Sequence, residues 1–163
     1  MLENFKWPEP KEQVDHRLIR DVIEYKCHII GIPEDDEGPS YSFSIGLYLH
    51  FNHPEIVIFG LNHEVAGTII NEIGRVVEKG RRFQNQEVTN ELVVNSSATT
   101  IDVHPKFYKD FFGTALWFYR SIGDKFPFMQ VVWPDKQGCF PWNSDSDKKS
   151  RDLQPILTDK STQ

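Results

Sequence analysis

The sequence predicts an α+β fold, a mainly antiparallel sheet of about six strands, able to curl toward a barrel, packed by three helices. Three observations lead there. Short β-branched and aromatic runs are bounded by Gly, Pro, Asn and Asp; three longer stretches repeat apolar residues at helical spacing; and 13% of the 163 residues are aromatic, so the core is built largely of rings. A chain of this length forms one domain around one core, placed here in residues 1–142. Residues 143–163 read as a polar, flexible tail with Leu153, Ile156 and Leu157 as its anchor points.

After Pro8 and Pro10, residues 11–25 place Val14, Leu18, Val22 and Tyr25 on one helical stripe. Residues 27–32 and 41–49 read as strands joined through Glu34-Asp35-Asp36-Glu37-Gly38, a hairpin with an acidic tip. Residues 55–61 are almost continuously apolar, the pattern of a central strand covered on both faces. Asn62 then caps a second helix, with Val65, Ile69, Ile73 and Val76 on its stripe and Gly80 as its stop. Residues 86–95 and 99–103 form a second hairpin about Ser96-Ser97-Ala98, and residues 106–122 a third helix with a broad aromatic face. Residues 126–133 make a last strand, followed by the turn Pro134-Asp135-Lys136-Gln137-Gly138.

Charge and cysteine content exclude several classes of function. The net charge is −6, and the last 21 residues carry four acids and four bases, so the whole excess lies on residues 1–142. Such a body repels nucleic acid and favours a basic protein partner or a small ligand. No apolar run approaches the length of a membrane span, the N-terminus lacks a signal pattern, and Cys27 and Cys139 lack CxxC spacing, so a cytoplasmic protein with reduced thiols and no membrane contact is expected.

The most chemically loaded turn is His50-Phe51-Asn52-His53-Pro54-Glu55, where His53 and Glu55 are the acid–base candidates. Pro54 prevents the regular helix that would align two imidazoles on a metal, so no metal site is expected; the structural alternative is that His53 and Glu55 bond loop backbone and hold the turn. Trp133-Pro134-Asp135 is similar to the acid loop of tyrosine phosphatases, but neither cysteine is followed six residues later by the Arg that such a site needs. Asp135 is therefore either an acid–base candidate or a turn cap for residues 136–138. Tyr41, Trp133 and Trp142 are ligand-binding candidates, with Phe140 completing an aromatic wall that either faces a ligand or closes the core.

Three segments in this order carry a resemblance. Tyr41-Ser42-Phe43-Ser44-Ile45-Gly46-Leu47, His53-Pro54-Glu55-Ile56-Val57-Ile58-Phe59-Gly60-Leu61 and the stretch from Gln130 through Trp133-Pro134-Asp135 to Trp142 resemble the bacterial family known as domain of unknown function 4262, over about residues 12–142. The resemblance implies a compact bacterial α+β domain and marks Tyr41, Gly46, His53, Glu55, Gln130, Trp133, Asp135 and Trp142 as matching positions; it implies no activity.

Two functions follow as expectations. One is a non-catalytic binding module, of accessory or immunity type, that takes a basic protein partner and needs no cofactor. The other is an enzyme or cofactor-binding domain, by analogy with flavin-binding split barrels, with a pocket near His53, Glu55 and Asp135; no Lys/Arg cluster near these strands is placed to grip a flavin phosphate.

Overall fold

The computed structural model describes residues 1–159. Its strands form one six-stranded sheet in the order β1-β2-β3-β6-β5-β4: β1 His28–Ile32, β2 Tyr41–Ile45, β3 Glu55–Phe59, β4 Glu87–Val93, β5 Ser96–Asp102 and β6 Phe128–Val132. The strand count and α+β class agree with the sequence, but the sheet is mixed and open. β3 and β6 pair in parallel at the centre, Glu55 opposite Phe128 and Ile58 opposite Val131, while every other neighbouring pair is antiparallel. Two three-stranded meanders thus lie side by side, joined through their last strands. β1 and β4 remain as edges, so no barrel closes.

The helices number six among the described residues rather than three: α1 Gln13–Tyr25, α2 Leu47–Phe51, α3 His63–Glu78, α4 Tyr108–Phe111, α5 Gly113–Phe118 and α6 Lys148–Leu153. α1 starts where Asp15 accepts the backbone N–H groups of Lys11 and Glu12, and it buries Leu18 and Val22 while Val14 and Tyr25 stay exposed. α3 follows the sequence closely: Asn62 accepts the Val65 N–H, and Gly80, at φ 104°, lets its own N–H and that of Arg81 close on the Val77 and Val76 carbonyls.

Three segments depart from the sequence reading. The strand expected over 41–49 ends at Ile45, because Gly46 takes φ 125° with its Cα against the Lys26 carbonyl, where a Cβ would approach to 2.4 Å; α2 begins immediately after. The second hairpin turns at Val94-Asn95 rather than at Ser96-Ser97-Ala98: Asn95 adopts φ 58°, Val93 pairs with Ser96, and Ala98 is buried against α3. The expected helix over 106–122 is broken at Phe112 (φ −125°, ψ 42°) into α4 and α5, with single 3-10 turns at Pro105–Phe107 and Arg120–Ile122. The break lets Phe112 stack flat on Phe128, centroids 3.8 Å apart and planes 5° apart, while the Tyr108 hydroxyl donates to the Phe126 carbonyl. An unbroken helix would turn one of these two stripes away from the sheet.

The sheet separates two cores. Phe43, Ile45, Val57, Phe59 and Phe128 face α1, α4 and α5 in an aromatic layer; Ile56, Ile58, Met129 and Val131 face α3 in an aliphatic one. Alternation along β3 puts Val57 and Phe59 in the first layer and Ile56 and Ile58 in the second, which is why the whole strand is buried.

The segment expected as a flexible tail folds back onto the sheet through residue 159; its last positions, 160–163, lie outside the described residues. Two glutamines hold it. Gln154 accepts the Trp133 N–H (3.0 Å) and donates to the Trp133 carbonyl (2.9 Å); Gln130 donates to the Pro155 carbonyl (2.8 Å) and accepts the Leu157 N–H (3.0 Å). The His104 N–H meets the Leu157 carbonyl at 2.9 Å, and Leu157 is 2% exposed. Apolar count alone underestimated this docking, because much of it is backbone recognition by buried amides.

Phe112→Ala removes a fully buried ring from the centre of the aromatic layer. Urea denaturation is expected to show a loss of about 3–5 kcal/mol with an unchanged m-value.

Candidate functional site

His53 lies in the turn before β3 and is fully buried. Its Nδ1–H donates to the Pro54 carbonyl at 2.9 Å and its Nε2 accepts the Phe83 N–H at 3.2 Å, so both ring nitrogens are engaged and the neutral tautomer is fixed. Burial holds its pKa below the usual histidine range against the opposing pull of the Pro54 carbonyl; the Arg82 and Arg81 charges add to the lowering. The ring stands edge-on to Phe83, centroids 6.0 Å apart.

Glu55, also fully buried, is the first residue of β3 and reaches across to the start of α2. One carboxylate oxygen accepts the Tyr48 N–H at 3.0 Å and lies 3.5 Å from the Tyr119 hydroxyl; the other meets the Ser44 hydroxyl at 3.2 Å. Ser44 Oγ in turn accepts the Ile56 N–H at 2.9 Å, continuing the β2–β3 ladder beyond its last backbone pair. Burial raises the Glu55 pKa to about 7, against the lowering effect of the Tyr48 N–H, Ser44 and the Leu47 and Gly46 backbone. The same burial pushes the nearby Cys27 thiol up, aided by the Glu55 charge.

Asp135 occupies the turn after β6. One oxygen accepts the Gln137 and Cys139 N–H groups, both at 2.9 Å, and the other the Asp147 N–H at 2.9 Å, tying the turn to the start of α6. The Cys139 and Asp147 backbone bonds hold its pKa below the usual carboxylate range. The roles read from the sequence as structural alternatives, turn-holding by His53 and Glu55 and turn-capping by Asp135, are therefore directly visible.

The structure does not bring these three together. Parallel pairing sets the starts of β3 and β6 side by side and their ends side by side. His53 and Glu55 stand at the start of β3, whereas Asp135 follows the end of β6. Trp133, at that far end, donates its indole N–H to the Phe59 carbonyl at 2.8 Å, four residues or roughly 13 Å along the strand from Glu55. Among the described residues the two turns thus stand at opposite ends of the central strand pair.

The aromatic candidates divide as well. Tyr41 stacks on Phe59 (5.0 Å), its hydroxyl donates to the Phe111 carbonyl at 2.9 Å, and burial raises its pKa. Trp133 is pinned by its bond to Phe59; Gly60 takes φ 79°, and a Cβ there would stand 2.8 Å from Leu153 and 3.1 Å from the Trp133 ring, which explains the glycine. Trp142 alone opens to solvent: it is 50% exposed and stacks on Phe140, centroids 5.2 Å and planes 12° apart.

That stack forms one wall of a cleft of about 940 Å³. Its floor is the part of the sheet that α4 and α5 leave uncovered, Val88 on β4 and Thr99 and Ile101 on β5; Ile156 from the docked tail and His104-Pro105 complete the walls, with Asn85, Asp102 and Asp159 at polar positions. Because Ile156 follows the residues held by Gln130 and Gln154, the cleft exists only with the tail in place, and no local pattern in the sequence announces it. Two further pairs were also hidden in the sequence: Ser44 with Glu55, and Ser42 with His63, whose Nδ1 lies 3.1 Å from the Ser42 hydroxyl over Gly31. Among the described residues no three His, Cys, Asp or Glu side chains are grouped to hold a metal ion, and no helix is long and apolar enough to cross a membrane.

A family profile described as Domain of unknown function (DUF4262) matches residues 21–147, from within α1 to the cap of α6. The chain belongs to this family. The DUF4262 match spans both turns and the Phe140–Trp142 stack, and it carries no statement of activity. No curated protein and no solved structure matches the chain.

The pKa of Glu55 has a testable consequence. A folded value near 7 against 4.5 for the free side chain means that the folded state binds the extra proton, so the stability that Glu55 contributes is greatest below pH 4.5 and falls by about 3 kcal/mol as pH rises from 4.5 through 7. His53 acts in the other sense: its lowered folded pKa costs stability as pH falls below 6.5. Glu55→Gln, which keeps the acceptor for Tyr48 and presents a donor to Ser44, is expected to raise the melting temperature at pH 8 and leave it nearly unchanged at pH 5. An equal shift at both pH values would show that Glu55 does not titrate in this range.

Proposed function

We propose that this protein is a non-catalytic binding module of a bacterial cytoplasm, taking a basic protein partner at the cleft beside the Phe140–Trp142 stack. The observation that carries the reading is a contrast in how polar and aromatic groups are used. His53, Glu55 and Asp135 direct their polar atoms to internal donors and acceptors and stand at opposite ends of the central strands. Trp142 and Phe140, by contrast, present a stacked aromatic surface to an open cleft. Large aromatics at a concave, partly apolar surface are the groups that anchor partners. The net charge of −6, carried by residues 1–142, favours a basic partner over nucleic acid.

The alternative, an enzyme or flavin-like domain with its pocket near His53, Glu55 and Asp135, draws no support from this geometry, since a shared pocket is what that chemistry requires.

The test uses the tagged full chain as bait in a native lysate at low and high salt, beside Trp142→Ala. The expected result is a basic protein retained by the wild type at low salt, released by high salt, and retained at least tenfold less by the variant. Trp142 is half exposed, so its loss leaves the fold intact, which circular dichroism verifies. Failure to retain any protein at low salt, or equal retention by both baits, overturns the reading.

A further inference from the structure

We infer that the group taken by the cleft is a tyrosine side chain of the partner, its ring lying between the Phe140–Trp142 stack and the apolar floor, its hydroxyl hydrogen-bonded to that of Thr99. The inference rests on the cleft being the binding face, and it names the chemistry recognised there.

The floor calls for an uncharged group with one polar end. Register pairs Val88 with Thr99, and alternation along β5 puts Thr99 and Ile101 on the cleft side and Ala98, Thr100 and Asp102 on the α3 side. Thr99 is 4% exposed, and its hydroxyl is one of two buried side-chain polar atoms without a hydrogen-bond partner among the described residues. The other, on Ser150, belongs to α6 and does not line the cleft. Buried hydroxyls are ordinarily satisfied, so one left open in the floor of a cleft marks the place of an absent partner. The charges near the cleft are engaged or turned away. Asp102 stands opposite Met129, which faces α3, and is exposed to solvent. Asp159 pairs with Lys106 at 3.3 Å and stands 3.5 Å from His104 Nε2, while His104 Nδ1 accepts the Lys106 N–H. An ion entering the cleft would leave water for a floor that, among the described residues, holds no counter-charge.

The walls call for a flat ring. Phe140 and Trp142 lie nearly parallel and Trp142 is half exposed, so a broad π surface stands open beside Ile101, Pro105 and Ile156. An aromatic ring covers such a surface in an offset-stacked or edge-to-face arrangement, a contact that an aliphatic side chain does not reproduce. The hydroxyl of Thr99 then selects among rings. Phenylalanine would cover it and leave it without a partner. An indole N–H donates but cannot accept, whereas a phenol hydroxyl, like that of threonine, does both. At about 940 Å³ the cleft has room for the backbone that carries the ring, which favours a residue in a chain over a free phenol. Tyrosine is also among the residues that carry most of the energy of protein interfaces from desolvated pockets.

The experiment titrates three blocked tripeptides, Lys-Tyr-Lys, Lys-Phe-Lys and Lys-Leu-Lys, and p-cresol into the isotope-labelled full chain. It follows the indole N–H resonance of Trp142 by NMR, assigned by its loss in Trp142→Phe. The flanking lysines keep the peptide charge constant, so differences report the central side chain. The tyrosine peptide is expected to shift this resonance saturably and to bind about fivefold more tightly than the phenylalanine peptide, the worth of one net hydrogen bond. The leucine peptide and p-cresol are expected to bind about tenfold more weakly than the tyrosine peptide. Thr99→Val is expected to abolish the preference for tyrosine over phenylalanine without lowering the melting temperature, because the hydroxyl it removes has no internal partner. Thr99→Ser, which keeps a hydroxyl, is expected to retain the preference. Equal binding of the tyrosine and phenylalanine peptides, a preference that survives Thr99→Val, or leucine peptide or p-cresol binding as tight as that of the tyrosine peptide overturns the inference. The two proposals fail separately: a protein partner lost by Trp142→Ala with no preference for the tyrosine peptide overturns the tyrosine and leaves the cleft as binding face. A partner retained by Trp142→Ala overturns the binding face itself, and with it the biological occupant inferred here.

Discussion

The parallel pairing of β3 with β6 is the constraint on which the rest of the structure depends. Two meanders can share a central pair only if the chain crosses between them, and α3 makes that crossing over one face while α4 and α5 fill the other on the way into β6. The crossing decides the character of each layer, aliphatic under α3 and aromatic under α4 and α5. It also decides which turns are neighbours. The chemically loaded turn before β3 and the aspartate turn after β6 fall at opposite ends, and the surface left open lies at the outer side of the second meander, beyond the reach of α4 and α5.

Buried polar groups give this frame its definition. Glu55 does what a chain of aliphatic contacts cannot: it joins the first residue of a strand to the N-terminal N–H groups of a five-residue helix that has no capping side chain of its own. So short a helix has little intrinsic stability, and tertiary contacts must hold it. Ser44, Tyr119 and Glu55 form one network from three separate elements, and the donors gathered round the carboxylate offset only part of the cost of burying its charge.

Much of the fold was legible because its signals are local. The Asn62 cap, the Gly80 stop, the acidic hairpin tip and the continuous apolar run of β3 each specify their own few residues. The break at Phe112 was not legible, because a doubled aromatic stripe reads as a wide helical face until the stacking partner Phe128 is known. Nor was the parallel register: full burial of β3 announces two covered faces but not which strand lies beside it. In the candidate site, the turn-holding roles of His53, Glu55 and Asp135 followed from residue type and position. Ser44 and Tyr119 come from distant segments, and the cleft depends on Gln130 and Gln154 reading the backbone of a stretch too polar to look like part of a core.

The glutamine contacts bear on how the family's boundaries relate to a stable fragment. The profile match runs over residues 21–147, yet Leu18 lies in the aromatic layer ahead of it, and Gln154 and Leu157 close the far end of β6 behind it. Excised at the limits of shared sequence, the fragment would uncover the Trp133 backbone and leave the amide of Gln130 without its partners. The unit that sequence similarity delimits is shorter than the unit that folds.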